Sequence, residues 1–496
     1  MTGTSLDPRT PVLVGYGQVN QRTDPADAVE PVALMAQAAR AAADPRVLAA
    51  VDAIRVVNLL SWRYRDPGLA LGQLIGADGP ATRYTGIGGN VPQTLVNQAC
   101  LDIMAGRAEL VLLAGAETWR TRKQQKANGI RPDWTSQDES VPVPSGAEDA
   151  VDMSSPAQER IKLALPSHVY PLFEEALRVA AGEAPDDHRR RIAELWARFN
   201  EVAQHNPHAW SNRAHTAAEI GAAGPQNRMI SWPYTKLLNS NNMVDQGAAL
   251  ILTSVEKATY LQISSERWVF PWSGTDAHDS YAVAERWEYH RSPAIRIGAQ
   301  RALELAGLGA GDVDLIDIYS CFPSAVQVAA NEIGVPTDDP ARPLTVTGGL
   351  TFAGGPWNNY VMHSIATMAE KLAAAPGTRG LITANGGYLT KHAFGVYSAT
   401  PPPGGFRWAD VQDLVDREPT RVEDADFAGV GTLESWTAPF DRDGRPERAF
   451  LAVRTPAEAR ALAVITDPDA AAALVESADP AGAKVRVQPD GSAELI

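Results

Sequence analysis

The chain has 496 residues, a hydrophobic fraction of 45% and a formal net charge of −15. That length fits roughly two to four domains, and the acidic balance excludes nucleic acid as the main partner while leaving room for a local basic patch that meets a phosphate-bearing ligand. Two cysteines, Cys100 and Cys321, are too few for a disulfide framework and predict a reducing, cytoplasmic setting; Met1–Thr10 lacks a signal-peptide pattern, and no apolar run approaches the roughly 20 residues of a membrane span.

In chain order, Pro11–Val19 reads as a buried strand, Val32–Ala43 as an alanine-rich helix and Val51–Leu60 as a second strand. Ser61–Pro67 is a polar-aromatic loop, read as surface structure with a lid or a dimer contact as its functional alternative. Thr85-Gly86-Ile87-Gly88-Gly89-Asn90 is a glycine turn that opens a helix over Val91–Ala105. Asn90 is suited to cap that helix, and Pro92 is tolerated in a first turn whose N–H groups lack helical partners. Cys100 falls on the apolar stripe and reads as an inert core thiol. Leu110–Ala114 is the next strand and runs into Gly115-Ala116-Glu117.

Residues 119–244 depart from this rhythm. Helices are predicted near Pro171–Ala181 and Asp187–Ala203, together a helical insertion that would lie over a site. His205 and His208 are close enough to suggest a metal pair, but Pro207 breaks any helix that would present them, so no metal is expected. The core pattern returns at Asp245–Leu252, followed by a strand at Arg267–Pro271 and a long amphipathic helix from Ala282 to Ala306. Asp314–Pro323 reads as a buried strand with Tyr319, Ser320 and Cys321 at its carboxyl end, the end where open α/β sheets bind ligands.

Thr347–Pro356 repeats the glycine turn before a helix-like run to Leu372, and Gly380–Ala384 repeats the strand. Aligning Gly88-Gly89 with Gly354-Gly355 needs no gap until after the helix, which points to a duplicated half. His363 falls off the helix's apolar stripe and reads as exposed or capping. Leu389–Tyr397 is expected to be an edge or closing strand, and Pro401–Gly405 a linker. Beyond it, Gly429–Thr437, Arg448–Arg454, Ala461–Thr466 and Lys484–Val487 read as short strands of a β-rich, OB-like module, with turns at Asp441–Gly444 and Pro489–Gly491. The module lacks the basic-aromatic surface of a single-strand nucleic-acid binder.

Five stretches together resemble the thiolase superfamily over roughly residues 10–400: LAGAE at Leu113–Glu117, PYTK at Pro233–Lys236, YSCF at Tyr319–Phe322, GGLTFAGGP at Gly348–Pro356 and NGGYLTKHAFG at Asn385–Gly395. Within it the chain is most similar to sterol-carrier-protein-type thiolases and, among those, to thiolase-like proteins of type 1, which carry an extra C-terminal domain. The resemblance implies an α/β thiolase fold of five layers, αβαβα, from duplicated βαβ halves. The expected halves are 1–118 with 245–280, and 281–400. The insertion is 119–244, the linker 401–407, and the additional β-rich domain 408–496. It also implies a CoA thioester as ligand or substrate with no other cofactor, and a nominal likeness to acetyl-CoA acetyltransferases of lipid, fatty-acid or sterol metabolism. Homo-oligomers are usual in the superfamily, and the extra domain leaves that open here.

The same resemblance puts the family's nucleophilic cysteine at Gly89, its activating histidine at Gly355 and its late acid/base cysteine near Asn385; only Cys321 matches a family acid/base. The expected reading is a protein that binds CoA or a CoA thioester without thiolytic cleavage. Gly88, Gly89, Asn90, Gly354, Gly355, Asn385 and Gly386 would form the binding surface, with backbone N–H groups of the two glycine turns holding a thioester oxygen. Tyr319 and Cys321 are the candidate catalytic pair, and the alternative is a retro-aldol lyase that uses them. Cys321 as an acyl-transfer nucleophile is disfavoured, because a strand end is not the helix N-terminus that activates a thiol.

Overall fold

The computed structural model describes residues 6–146, 151–477 and 479–496. β1 (Pro11–Asn20) is buried along almost its whole length, as a strand covered on both faces must be. β2 (Ala53–Val56), β3 (Ala81–Tyr84) and β4 (Leu110–Thr118) follow, each reached through a helix. The chain then leaves through the helical insertion, which carries a ribbon of β5 (Met229–Ser231) and β6 (Tyr234–Thr235), and returns as β7 (Asp245–Ser254). The first sheet has the order β1-β7-β4-β2-β3.

The second sheet is built from β8 (Phe270–His278), β9 (Leu315–Asp317), β10 (Arg379–Gly386), β11 (Lys391–Ser398) and β12 (Arg407–Asp410), in the order β12-β8-β11-β10-β9. In the first sheet β1 and β7 pair antiparallel, as do β7 and β4, while β4 and β2 are parallel. In the second, β8 with β11 and β11 with β10 are antiparallel, and β10 with β9 parallel. The same four-strand pattern occurs twice, so the duplication legible in the glycine turns extends to the sheets.

Two helices, Val91–Met104 and Tyr360–Ala374, lie between the sheets, and each contacts strands of both. Pro31–Ala42 covers the outer face of the first sheet and Pro293–Ala306 that of the second, which completes five layers. The central helices meet the opposite sheets through polar side chains seated on glycines. Gln93 sits over Gly395 and Asn97 over Gly274, both in the second sheet; Asn359 sits over Gly115 in the first. Any side chain at those glycines would collide with the peg above it. In the ungapped alignment of the two halves, Gln93 falls on Asn359 and Asn97 on His363.

Four expectations are corrected. The helix expected over Ala282–Ala306 begins only at Pro293, with the Ser292 hydroxyl accepting from the Ile295 N–H at 3.2 Å. Residues before it form a short turn and an extended run whose carbonyls are bonded by Arg460 and Arg421 of the C-terminal module. β11 is the middle strand of its sheet rather than an edge, which explains its nearly complete burial. His363 is neither exposed nor capping: it is 6% exposed and its Nδ1 lies 2.9 Å from Gln18 Oε1 on β1. Asn90 makes no side-chain capping bond.

After the proline-rich stretch the chain first adds β12 to the second sheet. It then forms β13 (Gly429–Thr437), β14 (Ala449–Arg454), β15 (Arg460–Ile465), β16 (Lys484–Val487) and β17 (Ala493–Leu495), ordered β15-β14-β13-β16-β17. A helix, Pro468–Glu476, joins the third of these strands to the fourth, and a parallel bridge between Val464 and Ser492 brings the third and fifth together. That connectivity is that of a five-stranded OB-type barrel. Its own core includes Leu433, Trp436, Leu451, Val453, Ile465 and Val485. Among the described residues no helix is long and apolar enough to cross a membrane.

Candidate functional site

A cavity of about 490 Å³ opens where the two glycine turns, the insertion and the end of β9 converge. β9 stops at Asp317 because that carboxylate turns inward and is bonded by Ser364, Thr345 and the Val346 N–H. The next residues, Tyr319-Ser320-Cys321-Phe322, are then free to turn along the cavity wall before a new helix begins at Pro323.

Tyr319 reaches across to the first glycine turn. A methyl group at Gly89 would fall 2.5 Å from the Tyr319 hydroxyl and closer still to the Asn385 carbonyl oxygen. The phenol therefore occupies the space in which a side chain at Gly89 would sit, at the N-terminus of the first central helix. No hydrogen bond joins that hydroxyl to another described residue. Burial, with Cys321 and Tyr360 beside it, pushes the Tyr319 phenol well above its ordinary range.

Cys321 is 8% exposed, and burial raises its thiol to about 12 despite hydrogen bonds that oppose the shift. Asn385 Nδ2 lies 3.8 Å from its sulfur and donates to the Tyr170 hydroxyl at 2.9 Å. That hydroxyl donates to the Gly387 carbonyl at 3.1 Å and accepts from the Leu389 N–H at 2.9 Å. The Tyr170 ring stacks on Phe322 with centroids 4.5 Å apart, and Tyr234 stacks on the other side. Burial raises Tyr170 well above its usual range too. At neutral pH the three acidic side chains of the site, Tyr319, Cys321 and Tyr170, all keep their protons.

Of the residues expected from the sequence, Gly88, Gly89, Tyr319, Cys321, Gly355, Asn385 and Gly386 line this one cavity. Asn90 and Gly354 do not. Asn90 Oδ1 is buried between Gly88 and Gly386 without a partner among the described residues. Gly354 has φ +107° and packs on Gln246, which lies behind the wall. The expected use of turn N–H groups is also narrowed: Gly88 donates to Asn358 Oδ1 at 3.1 Å and Gly355 to the Asn241 carbonyl at 2.9 Å, while Pro356 has no N–H. Cys100, with no exposed surface, stays in the core.

Sequence reasoning missed Tyr170, Ser240 and Trp357, which also line the cavity. Tyr170 enters because the insertion helix starts at Pro166, earlier than its apolar stripe implied. The other side of that helix is backed by the C-terminal module, where Ser435 donates to the Leu172 carbonyl at 2.6 Å and His168 stacks on Phe450 at 5.5 Å. The module thus braces the helix that carries Tyr170.

Two duplicated sheets around a pair of central helices, with a cavity at the paired glycine turns, define a protein of the thiolase fold. Solved thiolases share it at low identity: the dimeric peroxisomal thiolase of Saccharomyces cerevisiae is 13% identical, with a TM-score of 0.54 over 79% of this chain and 98% of that one. A structure described as an Ltp2-ChsH2(DUF35) aldolase is 18% identical, with a TM-score of 0.59 over 79% of this chain and 98% of that one. Over its full length the chain is similar to a solved structure from Mycobacterium smegmatis, described as a monomeric SCP2-thiolase like protein type 1: 31% identity, a TM-score of 0.84, and 99% of each chain covered. Residues 410–492 match the thiolase-like protein type 1 additional C-terminal domain. The chain belongs to the SCP2-thiolase-like proteins of type 1. It is also 23% identical over 205 residues to an acetyl-CoA acetyltransferase of Methanothermobacter thermautotrophicus, a match that spans 38% of this chain and 51% of that relative.

Proposed function

We propose that the protein binds a CoA thioester in the cavity around Tyr319 and Cys321 and does not cleave it by thiolysis. The observation that carries this reading is the Tyr319 hydroxyl pressed against Gly89. Thiolysis through a covalent intermediate needs a thiolate at the helix N-terminus, where the dipole and unpaired N–H groups stabilise the anion. Gly89 supplies no sulfur, and Tyr319 leaves no room for one. Cys321 is no substitute: burial pushes its thiol up to about 12, so it stays protonated near neutral pH. What the cavity offers is apolar wall from Leu165, Phe322 and Leu350 beside the protonated Tyr319 and Cys321. Such a surface suits a thioester carbonyl that accepts hydrogen bonds and an acyl or pantetheine chain that leaves water. In this reading the ligand is an acyl-CoA of lipid, fatty-acid or sterol metabolism, met in the cytoplasm.

The test sets a calorimetric titration with CoA and short acyl-CoAs beside a thiolysis assay. Saturable binding without turnover is expected; robust acetyl transfer or thiolysis sinks the reading.

A second reading, retro-aldol cleavage of a 3-hydroxyacyl thioester, is favoured by one feature: the Tyr319 hydroxyl has no protein partner and borders the cavity. Such a reaction moves the 3-hydroxyl proton to a base, breaks the Cα–Cβ bond to release a carbonyl compound, and protonates the resulting enolate. The protonated Tyr319 fits the last step. The first needs a base, and burial opposes ionising Tyr319, Tyr170 and Cys321 alike, which is why binding is the leading reading. Product release that vanishes in Tyr319→Phe supports the lyase; activity untouched by Tyr319→Phe and Cys321→Ala removes both residues from the chemistry.

A further inference from the structure

A second concavity, a cleft of about 660 Å³, lies beside the first and has a different character. Its lining includes Trp119, Arg122, Lys123, Lys126 and Arg131, and no carboxylate. The four cations come from one short helix, Trp119–Ala127, and the loop after it. In a chain of net charge −15 such a lining stands out. The concavity beside the C-terminal module is the contrast, because its arginines are neutralised: Arg286 pairs with Asp279 at 2.9 Å, Arg291 with Glu332 at 2.7 Å and Arg296 with Glu418 at 2.9 Å. Here Lys123, Lys126 and Arg131 form no ion pair with any described residue. Arg122 is held over the rings of Trp62 and Trp134, at 4.9 and 5.5 Å, which fixes its position without cancelling its charge.

The cleft adjoins the Tyr319 cavity through a pair of indoles. Trp119 lines the cleft, Trp357 lines the cavity, and their rings meet edge to face at 5.3 Å. Trp357 is held at φ +48°, a conformation a bulky residue adopts only where its surroundings force it. Its indole N–H is buried without an acceptor among the described residues. An unpaired donor in the wall between two concavities is what a ligand crossing that wall would satisfy.

We propose that this cleft is a phosphate subsite for a nucleotide. Arg122, Lys123, Lys126 and Arg131 hold the phosphate groups, and the indole of Trp119 forms the apolar wall for the base. Four cations outside any ion pair among the described residues raise the local concentration of a polyanion around one concavity, and the effect falls with salt. The nucleotide is either free or the nucleotide end of a CoA thioester whose arm passes Trp357 towards Tyr319. The second source rests on the function proposed above; the subsite itself does not.

The test is calorimetric titration of the full-length protein with adenosine 3′,5′-bisphosphate and, separately, with CoA, at low and high salt. The variants are Lys123→Glu/Lys126→Glu and the charge-keeping Lys123→Arg/Lys126→Arg. Both lysines are exposed and outside any ion pair among the described residues, and the one ring contact, Lys123 Nζ 5.7 Å from the Trp119 centroid, is kept in the arginine variant, so thermal midpoints should move by no more than a few degrees. Expected are bisphosphate binding that weakens with salt, a loss of about tenfold or more in the charge reversal, and near-native affinity in the arginine variant. No bisphosphate binding at millimolar concentration, or equal affinity in native and reversed proteins, overturns the subsite. If CoA binds and the reversal leaves its affinity unchanged, the subsite falls and the CoA reading stands. If the bisphosphate binds here while CoA binds no tighter than the bisphosphate alone, the subsite stands and the CoA reading of the Tyr319 cavity falls.

Discussion

The two glycine turns begin as copies of one design and end in different states. At Gly89 the space for a side chain is filled by the Tyr319 phenol and the Asn385 carbonyl. At Gly355 the space is open: the nearest atoms to an added methyl are Asn242 Oδ1 at 3.4 Å and the Asn241 carbonyl and Leu350 Cβ at 3.5 Å. One position has been overwritten and the other vacated. A cavity that had merely lost its reactive groups would be open at both. The occupied first turn indicates a site rebuilt around Tyr319, and the open second turn leaves room for ligand where the fold's other reactive group would stand.

The largest effect is expected from Gly89→Ala. The added carbon must displace a backbone carbonyl as well as a ring, and backbone does not yield cheaply, so a loss of about 1–3 kcal/mol or more is expected in chemical denaturation. Adding Tyr319→Phe removes the hydroxyl but leaves the ring carbon and the Asn385 carbonyl in place, so the double variant should recover only part of that loss. Full recovery would mean that the phenol alone closes the first turn. By itself Tyr319→Phe should leave stability within about 1 kcal/mol of native, because its hydroxyl has no protein partner to strand.

A second asymmetry lies eight residues further on, about two helical turns deeper. The first central helix seats Asn97 on the opposite sheet; at the matching position the second seats His363. Burial lowers the His363 imidazolium to about 3, so the ring is neutral when folded and takes up a proton near its ordinary 6.5 when unfolded. Between those values the unfolded chain binds more protons, so this residue's contribution is complete above pH 6.5 and is lost as pH falls, by at most about 1.4 kcal/mol per pH unit. His188, gripped by Glu174 at 2.6 Å and Glu183 at 2.7 Å, is raised instead, so its contribution is present below 6.5 and fades as pH rises. The variant His363→Asn, which copies the first half into the second, should flatten the acid side of the stability–pH curve and leave the alkaline side unchanged. An acid limb as steep as native would place the titration elsewhere.

These contrasts show what a linear sequence carries. The tail strands, the glycine turns and the ungapped repeat through both central helices were legible because each is a local pattern: alternation, a turn residue, a buried stripe. The loop before Pro293 was misread because its residues continue a helical stripe, while its carbonyls are taken by Arg460 and Arg421, more than a hundred positions away. Tyr170 was missed for the same reason. Nothing around it resembles a site residue until the insertion helix is laid against Asn385 and Cys321. His363 looked exposed because it lies off its own helix's apolar stripe, yet that side faces the other half's sheet. In a five-layered fold a central helix meets a sheet on two sides, and every residue of Tyr360–Ala369 is buried, so the rule that one helical face is solvated fails there.

The smallest expected effect separates the two turns most cleanly. Gly355→Ala adds the same carbon that Gly89→Ala adds, at the matching position of the repeat. Its backbone is not in the left-handed region, and no neighbour lies within 3.4 Å of the new methyl. A glycine replaced where alanine fits without strain restricts the unfolded chain, so stability should hold or rise by about 0.4–1 kcal/mol. Because Gly355 lines the cavity, the methyl should also weaken the acyl-CoA binding proposed above modestly without disturbing the fold. A loss of stability comparable to that of Gly89→Ala would show that the second turn is closed like the first, and the contrast between them would disappear.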